Sequence, residues 1–235
     1  VLHRGGLDEL ALDLLGLTAP RLLDLSRWER LVKSVLEPSR RVKVAICGKY
    51  THLQDAYKSI LESFVHAGAA NEVQVDLHWI ESTSLEEPGA VARALEGVDG
   101  LLVPGGFGER GVEGMVRAVQ HARLTGLPFF GICLGLHCAT IEFARNVCGM
   151  EGANSTEFDP ETKYPVIDLM PDQIALTKKG GTMRLGAYPC ELAEGSRARE
   201  IYAEPLIRER HRHRYEFSNE FRARFESAGL RMSGV

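Results

Sequence analysis

The sequence predicts an α/β fold in which a mostly parallel central sheet is flanked by helices and is followed by an antiparallel second half. Between residues 42 and 147, short β-branched runs alternate with stretches at helical spacing. Four strand–helix units in a row predict parallel strands with helices on both faces. After Gly149, proline-containing turns and shorter strands replace this alternation and predict antiparallel pairing.

The parallel half contains four predicted strands, each followed by a predicted helix. The strands lie at residues 42–47, 73–80, 100–104 and 127–133, and the helices at 55–67, 89–96, 113–124 and from the turn after Cys133 to Val147. In the second half, strands are predicted at residues 174–177 and in a segment that reaches Cys190. Ligands of parallel sheets bind beyond the carboxyl ends of the strands, so the residues that follow each strand are candidates for a functional site.

Two amphipathic helices are predicted ahead of the sheet, at residues 7–17 and 22–36, and Pro38 ends the second. Their apolar faces have no partner within so short a segment. We interpret residues 1–40 as the tail of another domain with linker helices, and residues 41–235 as the main domain.

Composition excludes several classes of protein. Hydrophobic residues make up 44% and charged residues 26% of the 235 residues, as in soluble globular domains. A net charge of -4 gives no overall attraction for nucleic acid or an anionic membrane. The chain has no spanning apolar run and no secretory signal, and its five cysteines form no CxxC pair or metal-ligand spacing. These features predict a cytoplasmic protein without a membrane, nucleic-acid or metal partner.

The strongest candidate for chemistry is Cys133, in the sequence Phe130-Gly-Ile-Cys-Leu-Gly135. A buried strand enters a helix there through a Gly-X-Cys-X-Gly turn, the form of a nucleophile elbow. The helix N-terminus is expected to favour the reactive thiolate. The alternative is a buried structural cysteine between two packing glycines.

A second candidate is the loop Pro104-Gly105-Gly106-Phe107-Gly108, which follows the preceding predicted strand. Its glycines allow backbone N–H groups to approach a ligand closely. With the amide of Leu134, they form a candidate oxyanion site. The alternative is a plain tight turn.

The segment from Arg208 to Arg214 alternates arginine with Glu209, His211 and His213. If the segment is extended, its four arginines share one face, which is either a solvated surface or a binding site for an anion. The loop at residues 180–186 is either a mobile lid or a flexible hairpin. His137, one helical turn after Cys133, does not convincingly complete a catalytic triad.

Several stretches of the chain together match one family. They are GKYTHLQDAYKSI from Gly48, LLVPGGFGERG from Leu101, FGICLG from Phe130, NSTEFDP from Asn154 and RERHRHRYE from Arg208. Over residues 41–235 the chain resembles the glutamine amidotransferase domain of CTP synthases, a class I amidotransferase domain with a flavodoxin-like fold. Residues 1–40 resemble the end of the synthetase domain and the interdomain linker.

The resemblance implies roles for individual residues. Cys133 would release ammonia from L-glutamine through a glutamyl thioester, with Gly106 and Leu134 at the reacting carbonyl. Further implied roles belong to the substrate pocket and an effector lid: Gly105, Phe107 and His137 line the pocket, Glu157 binds the substrate's α-amino group, Arg214 binds its carboxylate, and Arg184 lies in the lid.

The resemblance also implies partners outside this chain. In the family, ammonia passes to a synthetase domain of the same chain, which uses ATP and Mg²⁺ to aminate UTP to CTP. GTP is the allosteric activator, and the full-length protein is a homotetramer. No cofactor is expected in the part of the protein represented by this chain.

Two departures from the family lead to further expectations. The family has Gln at the position of His137, and its catalytic His and Glu lie in a His-Pro-Glu motif beyond the match to Val235. We therefore expect a piece of CTP synthase that lacks both residues and hydrolyses glutamine poorly. Two alternatives are a pseudo-amidotransferase that binds without turnover and a γ-glutamyl hydrolase, although the latter does not explain NSTEFDP or RHRHRYE.

Overall fold

The central sheet forms from the four apolar runs that the sequence predicts as strands. The computed structural model describes residues 2–18, 23–169 and 184–235. The sheet is β1 (Arg40–Gly48), β2 (Val73–Glu81), β3 (Gly100–Val103) and β4 (Phe129–Gly131), in the spatial order β2–β1–β3–β4. β1 pairs with β3, and β3 with β4, in parallel. The predicted parallel half of the fold is confirmed.

The helices fall close to their predicted positions. They are α1 (Leu7–Leu15), α2 (Ser26–Leu36), α3 (Lys58–Asn71), α4 (Ala90–Ala94), α5 (Val112–Thr125), α6 (Leu134–Asn146), α7 (Arg197–Tyr202) and α8 (Arg222–Ser227). α3 begins later than predicted because a 3₁₀ turn over Gln54–Tyr57 precedes it.

The second half contains five short strands among the described residues. They are β5 (Asn154–Ser155), β6 (Pro165–Leu169), β7 (Arg184–Glu191), β8 (Leu206–His213) and β9 (Tyr215–Phe217). β6 pairs with β9, and β7 with β8, in the predicted antiparallel sense. The short β5–β6 pair is parallel, which the sequence did not indicate. The strand predicted at residues 174–177 lies outside the described residues.

The chain divides into two compact units. One contains Val1–Arg41 and Ser63–Gln74, and the other contains Val42–Glu62 and Val75–Val235. Within the first, α1 and α2 bury none of their residues, and Trp28 of α2 is 64% exposed. The proposed domain boundary at residues 40 and 41 stays a prediction.

The core of the second unit lies between the sheet and helices α5 and α6. Ala45 and Cys47 of β1 and Val103 of β3 are fully buried, as is Ile141 of α6. All four residues of β3 and the last four residues of β1 are buried and apolar, whereas the first residues of β1 are charged and exposed. One buried charge joins the two helices: the Glu142 carboxylate accepts hydrogen bonds from the Arg123 guanidinium at 2.7 to 3.1 Å.

Candidate functional site

Cys133 stands at the turn that joins β4 to α6, with φ 54° and ψ -105°. A non-glycine residue rarely adopts a positive φ, and such strain persists only where the surrounding structure enforces it. At Cys133, close backbone packing at the two flanking glycines, Gly131 and Gly135, enforces the strained conformation. A Cβ on Gly131 would lie 2.5 Å from the carbonyl carbon of Gly135, and one on Gly135 would collide with the carbonyl oxygen of Val103. The turn therefore requires glycine on both sides of the cysteine.

The Cys133 thiol is half-buried, and burial decides its ionisation. Burial raises the pKa of the thiol above its ordinary value, whereas hydrogen bonding from the backbone N–H groups of Leu134 and Gly106 lowers it and the nearby Glu157 charge raises it. Burial prevails, so the thiolate is not favoured in the ligand-free cleft, contrary to the expectation from the helix N-terminus. The two amides that oppose this shift belong to the first residue of α6 and to the loop after β3.

The glycine loop after β3 lies directly against the cysteine. A Cβ on Gly105 would stand 3.5 Å from the Cβ of Cys133, and one on Gly106 would stand 3.0 Å from Cδ2 of Leu134. Glycine lets the loop come close enough to present its backbone N–H groups to the thiol. Lys49 also binds this loop: its Nζ donates hydrogen bonds to the carbonyl oxygens of Phe107 and Gly108.

A cleft of about 310 Å³ opens over the thiol. The residues that line it come from the glycine loop, the elbow and the second half of the chain: Gly106, Phe107, Cys133, His137, Glu157, Arg212, His213, Arg214 and Tyr215. Its volume is at the lower end of the range for small-molecule sites. The cleft combines a nucleophilic atom, backbone donors and charges of both signs.

Glu157 and Arg214 supply the two opposite charges. Glu157 follows β5, and its Oε1 accepts a hydrogen bond from the Gly108 N–H at 3.1 Å. Arg214 stands between β8 and β9 and is half-buried. An anion and a cation in one cleft match the ammonium and carboxylate groups of an amino acid.

His137 lies one helical turn after Cys133 and lines the same cleft, although its side chain is only 7% exposed. Its Nδ1 is buried without a hydrogen-bond partner. Burial, reinforced by the neighbouring His213, lowers the pKa of His137 to about 4, while the Tyr215 backbone opposes the shift. His137 is therefore neutral at pH 7.

The structure brings together most of the candidate residues that the sequence indicated. Phe107, Glu157, His137 and Arg214 share the cleft with Cys133, and Gly105, Gly106 and Leu134 border its thiol. The Arg184 side chain and residues 180–183 of the predicted lid lie outside the described residues.

The predicted arginine strand is only partly as expected. Arg208, Arg210 and Arg212 lie at alternate positions of β8 and are exposed, whereas Arg214 follows the strand and turns into the cleft. The four arginines therefore do not act as one row. Only the last two line the cleft.

Sequence reasoning missed Lys49, His213 and Tyr215 as residues of the site. Lys49 directly follows β1, at the sheet edge where ligands bind, so the rule applied to the other strands could have found it. His213 and Tyr215 flank Arg214 and could have been included with it.

The part of the chain that the structure describes contains neither a metal-binding cluster nor a membrane-spanning helix. Residues 2–18, 23–169 and 184–235 contain no group of three or more His, Cys, Asp or Glu side chains arranged to hold a metal ion. In the same parts of the chain, no helix is long and apolar enough to cross a membrane.

Fold and cleft together define a class: α/β proteins that carry a cysteine in a strand-to-helix turn at the carboxyl edge of a parallel sheet. The family model described as glutamine amidotransferase class-I matches residues 52–235. The chain therefore belongs to the class-I glutamine amidotransferase family, as its motifs predicted.

Within this family, the chain is similar to individual CTP synthases. CTP synthase of Chloroherpeton thalassium is 53% identical over 237 residues, covering 100% of this chain and 42% of the relative. CTP synthase of Rubrobacter xylanophilus is 52% identical over 234 residues with the same coverage. The solved glutaminase domain of Trypanosoma brucei CTPS with bound acivicin superimposes with a TM-score of 0.77 at 40% identity, covering 83% of this chain and 75% of that one. The chain thus spans less than half the length of the curated relatives it matches.

Proposed function

We propose that this chain is the glutaminase part of a CTP synthase and that it hydrolyses L-glutamine at Cys133. The cysteine sulfur attacks the side-chain carboxamide carbon and forms a thioester. The C–N bond breaks, and the leaving nitrogen takes up the proton that the thiol gives up, so that ammonia is released. Water then attacks the resulting thioester, which releases glutamate and restores the thiol. The observation that carries this proposal is the placement of Cys133 in the strand-to-helix turn with the glycine loop directly against it, where a Cβ on Gly105 would lie 3.9 Å from the Cys133 sulfur.

The cleft supports glutamine as the substrate. Glu157 binds the α-amino group and Arg214 binds the α-carboxylate, so a zwitterion is recognised at both of its charges. His137, four residues after Cys133 on α6, lines the same cleft and is proposed to border the carboxamide end of the substrate. Gly105, Gly106 and Phe107 form the wall that presents the backbone donors.

The chain on its own is proposed to turn over slowly. Among the described residues, no histidine makes a hydrogen bond to the Cys133 thiol, and burial keeps that thiol protonated. Without an adjacent base, the rate depends on the small thiolate fraction. A thiol held in this state also favours the second candidate function, an amidotransferase-like module that binds glutamine without turnover.

In the complete protein, we propose that the released ammonia reaches a synthetase domain of the same chain, where ATP and Mg²⁺ drive the amination of UTP to CTP. GTP is the proposed activator, acting through a lid that includes Arg184, and a homotetramer is the proposed assembly. Support comes from the relatives that match this chain over its whole length, which are named CTP synthases.

The test uses 6-diazo-5-oxo-L-norleucine, a glutamine analogue whose diazo carbon alkylates a thiol with loss of N₂. Mass spectrometry should find one adduct, on Cys133, and excess glutamine should slow its formation. Arg214→Met should slow labelling by about 10- to 100-fold, because a hydrogen bond to a charged group contributes about 1.5–3 kcal/mol.

Arg208→Met is the matched control, since Arg208 is exposed on β8 and lies outside the cleft; its labelling rate should equal that of the wild type. Absence of the adduct from folded protein, or equal rates in Arg214→Met and wild type, would refute glutamine recognition at this cleft. Labelling and glutamine protection without any ammonia release, in the complete protein, would favour the binding module.

A further inference from the structure

Lys49 is a buried lysine that the proposed chemistry does not use. Its side chain is 4% exposed and lies in the second unit, immediately after β1. Buried lysines are normally paired with a carboxylate. Among the described residues, however, no carboxylate lies within ion-pair distance of Lys49 Nζ, and its hydrogen bonds go to the carbonyl oxygens of Phe107 (3.1 Å) and Gly108. The ammonium group is thus committed to the backbone of the glycine loop.

Burying the Lys49 ammonium group costs free energy of desolvation, which a neutral side chain that filled the same space would not cost. Desolvation lowers the pKa of Lys49, the Arg110 charge adds to the shift, and the surrounding acidic groups Cys138, Glu157 and Glu109 only partly oppose it. A methionine of similar length would fill the same space without a charge to desolvate. The retained charge therefore indicates a role for the two hydrogen bonds themselves.

One peptide group of the loop is held from both ends. The carbonyl of Phe107 accepts from Lys49, and the N–H of the same peptide unit, that of Gly108, donates to Glu157 Oε1 at 3.1 Å. Hydrogen bonds at the two ends of a peptide group polarise it and strengthen one another. Lys49 is thereby linked, through a single peptide group, to the carboxylate that faces the cleft.

The aliphatic stem of Lys49 also supports Gly106. A Cβ on Gly106 would stand 3.5 Å from Lys49 Cδ and 3.0 Å from Leu134 Cδ2. Arg110, which follows the loop, contacts Lys49 in turn, since its guanidinium donates a hydrogen bond to the backbone carbonyl of Lys49 at 2.5 Å. Gly106 is thus packed against the side chains of Lys49 and Leu134.

We propose that Lys49 is a positioning residue that fixes the glycine loop so that the Gly106 amide is directed at the reacting centre and Glu157 at the substrate's ammonium group. The inference deepens the proposed glutaminase function and rests on it for its chemical consequence. Its structural consequence, the fixed geometry of the Gly106 and Gly108 amides, does not depend on any substrate.

The experiment compares Lys49→Met, which keeps the stem and removes the donors, with Lys49→Arg, which restores charge and donors. Inactivation of Cys133 by 6-diazo-5-oxo-L-norleucine is measured as a saturation curve in each variant. In Lys49→Met we expect the maximal rate to fall by about 100-fold, the effect of displacing a reacting group by about 1 Å. The half-saturating concentration should rise because Glu157 loses its support, and Lys49→Arg should recover part of the rate.

Two controls separate positioning from stability. Alkylation of Cys133 by iodoacetamide, which needs neither Glu157 nor a carbonyl at the oxyanion donors, should be slowed much less in Lys49→Met, because it is affected only through the contribution of the Gly106 amide to the pKa of the thiol. Lys58→Met makes the same chemical change at an exposed lysine and should match wild type in every assay. Equal losses with both electrophiles, or unchanged inactivation constants in folded Lys49→Met, would overturn the proposal.

Further measurements cover the remaining outcomes. If Lys49→Met does not fold, Lys49→Gln replaces it, because a shorter neutral side chain cannot donate to both carbonyls. If the glutamine analogue does not label even the wild type, the proposed function fails, and the positioning role is decided by amide hydrogen exchange. The Gly108 amide should then exchange about tenfold faster in the Lys49 variant, as for the loss of one hydrogen bond; unchanged exchange would overturn the inference.

Discussion

Burial has opposite effects on the pKa values of two neighbouring side chains in the cleft, and both effects favour the neutral form. It raises the pKa of the Cys133 thiol and lowers that of the His137 imidazole to about 4. Near pH 7 neither residue is charged, and the charges in the cleft come from Glu157 and the arginines. In the proposed complex with glutamine, the neutral carboxamide would lie opposite neutral protein groups and the charged end opposite charged ones.

The neutral state of His137 makes stability depend on pH. Its pKa is about 4 in the folded chain and about 6.5 when unfolded, so the unfolded chain binds the additional proton between these values. Stability from this residue is complete above pH 6.5 and is lost as the pH falls towards 4, up to about 3 kcal/mol. His137→Gln should flatten that part of the curve in urea unfolding measured from pH 7 to 4.

His66→Gln replaces an exposed histidine and should leave the pH dependence as in the wild type. A His137→Gln curve that falls as steeply as the wild-type curve would show that the imidazole is not excluded from water.

Local spacing was enough to single out Cys133, its glycines and the PGGFG loop, because a tight turn and a close backbone approach leave their mark within a few residues. Lys49 could not be recognised in this way. Its partners are backbone carbonyl oxygens nearly sixty residues further along the chain. Because every residue has a backbone carbonyl, the residue types at those positions do not reveal the contact. The ionisation of Cys133 was misjudged because the helix N-terminus is visible in a sequence and the degree of burial is not.

At the scale of elements, the site depends on how closely α6 approaches β3. Gly135, at the start of α6, touches the backbone of Val103 so closely that a methyl group has no room. The approach places Cys133 at the start of α6 against the glycine loop that follows β3. Strand, turn and helix therefore form one unit.

Gly135→Ala should destabilise the chain by about 1–3 kcal/mol, the usual cost of overpacking, and should reduce labelling of Cys133 because α6 moves away from β3. The measurements are urea unfolding and adduct formation with 6-diazo-5-oxo-L-norleucine. Gly100→Ala is the matched control in β3, where the new Cβ would lie an ordinary 3.6 Å from its nearest atom. Equal destabilisation by both substitutions would contradict the proposed close packing.

Periodicity predicted the elements of the parallel half well because their strands and helices are covered on defined faces. Periodicity predicted the elements of the second half of the chain less well. β5 has two residues, too few for any period, and its parallel pairing with β6 is set by tertiary contacts. Arg214 continued the alternation of β8 in sequence, but the chain turns before it.

At the scale of the whole molecule, ligand binding should raise the free energy of unfolding by mass action. In Cys133→Ala, which removes the proposed nucleophile, glutamine at 100 times its dissociation constant should add about 2.7 kcal/mol. For a chain of this size that corresponds to a rise in melting temperature of roughly 5–10 °C. Differential scanning calorimetry measures it directly.

Asparagine, which carries the same charges on a shorter side chain, is the control ligand and should shift the melting temperature less. Adding Arg214→Met to Cys133→Ala should abolish most of the glutamine effect. An undiminished shift in that double variant would place glutamine elsewhere on the molecule.

The strained backbone of Cys133 sets chemical reactivity against thermodynamic stability at a single position. Its φ of 54° is one that glycine would adopt without penalty. The residue that best suits the backbone here is thus one with no side chain to react. Selection for heat resistance alone would therefore tend to remove the sulfur, whereas selection for turnover would keep it, and the glycines beside it, at the expense of stability.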